Sequence, residues 1–176
     1  MVEPWLRGTL TEVDAVRRQV LHSLELAGED VERWCEALSD AAIHERPFGV
    51  ASVAFHLRHM ARSLDRLLTY AEDGSLSEKQ MSQLGTEMEA TGSAAAVREE
   101  FRAGLEVAVR RIGEISPGSY EEARGVGRAQ LPSTIGGLLV HCAEHTQRHL
   151  GQAITTAQIV LNISNVSANQ TASHIG

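Results

Sequence analysis

The chain has 176 residues, a formal net charge of −7, 43% hydrophobic residues and only 4% aromatic residues. That length suits one domain with a core built from Leu, Ile, Val, Ala and Met, and an acidic chain with no basic run argues against nucleic acid as a partner. No window reaches the apolar length of a membrane span. The opening residues MVEPWLRGTLTEVD lack a basic segment followed by an apolar run, so a cytoplasmic protein without a secretory signal is expected.

The apolar pattern is helical nearly throughout. Residues from about Thr9 to Ala27 place Leu10, Val13, Val16, Val20, Leu21 and Leu24 at three- and four-residue spacing. Gly28 weakens the pattern, and Asp30 can cap a continuation through Val31, Trp34, Cys35 and Leu38. Pro47 and Gly49 mark a loop. Ser52 then suits the N-cap of a helix from Val53 to about Ala71, with Gly74 beyond its end. Ser75 to Thr91 is polar, with room for a short helix after Ser77. Ser93 caps a third long pattern to Ile115, stopped by Ser116, Pro117 and Gly118. Tyr120 to Pro132 reads as irregular loop. Ser133 or Thr134 caps the last long helix, to about Leu161.

Four long helices predict an all-α four-helix bundle. The Gly74–Gly92 connection is long for neighbouring antiparallel helices, which favours an up-down-down-up order. Residues 1–161 form the expected single domain. Residues 162–176 form a polar tail, expected to be disordered, whose N-x-S/T strings at Asn162, Asn165 and Asn169 read as chance.

Eight histidines occur, and five fall in two short clusters, HLRH and HCAEHTQRH. His145 and His149 are four apart, about one helical turn, so both project from one face and can share a divalent metal. His141 lies one turn earlier. A third ligand must come from elsewhere, and His56 and His59 form the other histidine-rich spot. In the last helix, His149 lies at the edge of the apolar arc, His145 further out and His141 furthest. On the second helix the wheel places His56 closer to the arc than His59, so periodicity leaves that choice open. A pH switch and a buried polar network are the other uses of such clusters. Cys35 and Cys142, the only cysteines, read as reduced buried thiols.

The strings SVAFHLRHMA and HTQRHLGQ resemble the DinB-like family of metalloenzymes, which includes bacterial thiol S-transferases. The resemblance covers roughly Leu10 to Leu161. It places the first ligand seven residues after the Ser52 cap, at His59, followed by the apolar Met60. It carries the second and third ligands onto His145 and His149, with Gly151 and Gln152 completing the motif. His56 stands where an apolar residue is usual. By this resemblance His56 and His141 flank the pocket without being obligatory ligands.

The resemblance implies Zn²⁺ or Ni²⁺ on three histidines with a position left for water or substrate. It also implies a small-molecule substrate such as a low-molecular-weight thiol. A thiol-dependent transferase is the leading expectation. A metal-dependent hydrolase, a non-catalytic stress-associated metal-binding protein and a metal-free helical interaction module are the alternatives. A homodimer is among the assemblies to expect. Arg124 and Arg128 are available for an anionic substrate group if their loop folds over the site, though surface charge is their simpler role. Arg58, Arg62 and Arg66 form a stripe that reads as a solvated or ion-paired face. Glu144 reads as a solvated or interhelical residue, and Gln152 as a supporting group or an interhelical contact.

Overall fold

The computed structural model describes residues 2–173, and side chains for residues 2–163. Among these, four long helices carry the core: α1 (Ala15–Cys35), α2 (Val53–Ala71), α4 (Ala94–Glu114) and α5 (Ile135–Ser173), with a short α3 (Glu78–Thr86) between α2 and α4. Each start has a local cause. Asp14 accepts from the Val16 and Arg17 amides, Ser52 from Phe55 and Ser93 from Ala96. Ser77 and Gln80 form a reciprocal capping box, and Thr134 Oγ1 accepts from Gly137. These bonds satisfy amides that have no partner inside the helix.

Two segments depart from the sequence pattern. The first helix begins at Ala15, because Leu10 has a positive φ of 56° and Asp14 supplies the cap. It then runs unbroken through Gly28, where a Cβ would meet Leu105 Cδ1 at an ordinary 3.6 Å. The second departure is a hairpin in the segment expected to be irregular. β1 (Ala123–Val126) pairs antiparallel with β2 (Leu131–Thr134), from Ala123 opposite Thr134 to Val126 opposite Leu131. Gly127 and Gln130, with φ of 69° and 48°, make the turn. The strands contain Gly125 and Pro132 and no apolar alternation, so a period-two pattern cannot reveal them.

α5 runs beyond Leu161 as a helix to Ser173. The N-x-S/T strings at Asn165 and Asn169 lie outside the described side chains, and 174–176 lie outside the described residues.

α1 packs on α4 and α5, and α2 packs on the same two helices. Pairings between α2 and α4 ascend together, from Arg58 with Glu100 to Asp65 with Arg111. Pairings between α2 and α5 oppose one another, with His59 meeting His145 and His56 meeting His149. The core is aliphatic, with Leu24, Leu57, Met60, Leu64, Ile112 and Leu139 buried in one cluster with Phe101. α2 and α4 approach so closely at Gly104 that a Cβ there would lie 2.6 Å from Ala61 Cβ.

The arginine stripe of α2 holds the long connection to α4. Arg58 donates to the Glu89 and Thr91 carbonyls, Arg62 to the Gln83 carbonyl and Thr86, and Arg66 to Glu87. Arg58 and Arg66 are buried, so this is an ion-paired face turned inward onto the connection.

Candidate metal centre

α2 and α5 run antiparallel, so the HLRH turn of one faces the HTQRH turn of the other. His59, His145 and His149 each offer a ring nitrogen, and these atoms all lie within 4.8 Å of one another. His59 Nε2 stands 3.3 Å from His145 Nε2. The His59 ring centroid lies 4.4 Å from that of His149, and that of His145 lies 4.6 Å from it. Among the described residues no other His, Cys, Asp or Glu joins this cluster, and the Ser63 hydroxyl lies 3.5 Å from His59 Nε2.

His56 and His141 both touch the trio from outside. His56 is buried, and its Nδ1 lies 3.0 Å from His149 Nδ1. His141 contacts the His145 ring at 5.4 Å between centroids, and its Nδ1 lies 3.2 Å from Glu144. The helical wheel correctly put His56 nearer the core than His59. The cluster forms around the less buried residue, because Nε2 of His59 reaches past its own helix towards α5.

Glu87 completes the surroundings and was not visible in the sequence. Its Oε2 lies 2.6 Å from His59 Nδ1, and its Oε1 accepts from Arg66 at 2.8 Å. Burial pushes the Glu87 carboxyl up, but hydrogen bonds from His59 and Arg66 outweigh that and hold it below its ordinary value. An ionised carboxylate only accepts, so His59 Nδ1 carries a proton, and in the neutral ring Nε2 is the nitrogen with the lone pair. His149 Nδ1 is engaged by His56, and with His149 as the donor in that contact its Nε2 keeps the lone pair. Phe55 stacks on the His59 ring at 5.2 Å and closes one side.

His145 and His149 are both lowered to about 4, by burial first and then by neighbouring imidazoles. His56 is lowered to about 4 for the same reasons. At neutral pH these rings are therefore uncharged and offer lone pairs. The spacing fits a cation. Two nitrogens on a tetrahedral ion with bonds of about 2.0–2.1 Å stand about 3.3–3.4 Å apart, and the His59–His145 pair stands at 3.3 Å. Without a cation or a shared proton, two converging lone pairs at that distance repel.

The remaining residues sort by position. Burial pushes the Cys142 thiol up to about 12 and the Cys35 thiol up to about 11, so both are packed thiols rather than nucleophiles. Glu144 sits on the surface with Arg148. Gln152 is exposed beside a cleft that His56 also lines. Arg124 donates to the Ala71 and Ala123 carbonyls and to Glu122, which pins the hairpin to the end of α2 and occupies its guanidinium.

A family model described as the DinB superfamily matches residues 23–153. No curated protein matches the chain. Among solved structures, the crystal structure of a conserved protein from Enterococcus faecalis superposes with a TM-score of 0.66 at 18% identity. The match covers 85% of this chain and 99% of that one, which shows a shared fold. No helix among the described residues is long and apolar enough to cross a membrane.

Proposed function

The chain belongs to the DinB superfamily, and on that premise we propose that it is a divalent-metal-dependent enzyme, a thiol-dependent transferase acting on a small molecule. His59, His145 and His149 hold the ion, Zn²⁺ or Ni²⁺. The observation that carries this reading is a cluster of three imidazoles with no fourth His, Cys, Asp or Glu donor among the described residues. A structural zinc site closes its shell with four protein ligands, whereas a catalytic site leaves a position open. The pairings between helices support the up-down-down-up order, which places α2 beside α5 and lets two helices alone build the site.

A divalent cation there would supply Lewis acidity, lowering the pKa of a bound thiol. The chain's own residues do the rest. Glu87 fixes the His59 tautomer and is itself fixed by Arg66. His56 orients the His149 ring. Phe55 keeps water from one face of His59. Such supporting contacts set the direction of the ligand lone pairs.

The test is a panel of thiols against an activated electrophile, with and without chelator. Transfer abolished by chelation and by His145→Ala is expected. Transfer that survives both contradicts the reading.

A further inference from the structure

Two clefts lie along the side of α2 that faces α3 and the hairpin. One, of about 190 Å³, is lined by His141 and His145 together with Leu67. The other, of about 480 Å³, is lined by Met81, Gln130 and Arg128. Tyr70, Leu76 and Leu84 line both. Sharing three wall residues, the two clefts adjoin and together form a groove with His145 at one end and the hairpin turn at the other.

Three features define what fits it. Its middle is apolar yet accessible, with Met81 42% and Leu84 45% exposed. No Asp or Glu lines either cleft, in a chain with 23 acidic residues. Arg66, which lines the end near the histidines, is neutralised by Glu87. At the far end the Arg128 guanidinium has no hydrogen bond or ion pair among the described residues, unlike that of Arg124. An unpaired cation at the end of a carboxylate-free apolar groove is complementary to one negative charge.

We propose that this groove binds the substrate, and that the substrate is an extended organic monoanion. Its donor group reaches the three histidines, its apolar middle lies on Tyr70, Leu76 and Leu84, and its carboxylate pairs with Arg128. This rests on the three-histidine metal reading.

The probes are straight-chain ω-mercaptocarboxylates of increasing length, with their methyl esters, titrated calorimetrically into zinc-loaded protein of measured metal content. At one optimal chain length the acid binds about tenfold more tightly than its ester, as one charge-assisted hydrogen bond provides. Arg128→Gln abolishes that preference and leaves ester affinity and metal content unchanged. Leu84→Glu, an exposed position where folding tolerates a charge, weakens the acid selectively. Equal affinity of acid and ester at every length overturns the proposal, as does a preference that survives Arg128→Gln. If the protein takes up neither zinc nor nickel, the metal reading fails and the groove proposal fails with it. If it takes up zinc but acid and ester bind alike, the groove proposal fails alone.

Discussion

His59 Nδ1 and Glu87 Oε2 lie 2.6 Å apart, and this one bond links a helix-two histidine of the cluster to the connection that follows α3. Glu87 is 5% exposed and is fixed from its other side by Arg66. Removing its charge frees the His59 tautomer without touching a histidine. Glu87→Gln is expected to keep one metal per chain and to weaken metal affinity by about 10–100-fold, the usual cost of losing such a partner. Competition with a chromophoric chelator measures this. Unchanged affinity contradicts the positioning role.

The histidines and their helices were legible in the sequence because both follow a short period. The i,i+4 spacing of His145 and His149 needs only one helix, and the caps at Ser52, Ser77 and Ser93 are local chemistry. Glu87 was not legible. It lies 28 residues from His59 in the chain, and its place depends on three α2 arginines clamping the connection. Choosing His59 over His56 needed the family resemblance, because a helical wheel records burial and not the reach of a ring towards another helix. The hairpin escaped because Gly125 and Pro132 leave its strands without alternation.

Acid should weaken the metal-free protein. His56, His145 and His149 are each lowered to about 4 in the fold, by burial and by one another, from an ordinary 6.5. Between those values the unfolded chain binds protons that the folded chain excludes. Stability therefore falls as pH drops from about 6.5 towards about 4. Urea midpoints of the chelated protein across that window should decline steadily. A flat profile would show that the rings are not held neutral.

Close packing of α2 on α4 depends on Gly104. In Gly104→Ala the new methyl would stand 2.6 Å from Ala61 Cβ and 3.1 Å from Ala61 Cα. The helices must part, at an expected cost of about 1–3 kcal/mol. Chemical denaturation should show this loss with metal stoichiometry unchanged. A variant as stable as the parent would mean that the helices separate freely.

Chelation should leave the bundle folded. The core around Phe101, Leu57 and Leu64 is buried without help from the histidine cluster. Far-ultraviolet circular dichroism should keep its helical signal after metal removal, and metal should raise Tm by linkage. Collapse of the helical signal would make the ion structural instead.

The central claim is that His59, His145 and His149 together hold one divalent ion. It is tested most directly by equilibrium zinc titration of untagged protein, comparing the parent with His149→Ala and His141→Ala. One tight ion per chain is expected in the parent and in His141→Ala, with the tight site lost in His149→Ala. The same stoichiometry and affinity in His149→Ala as in the parent would contradict it.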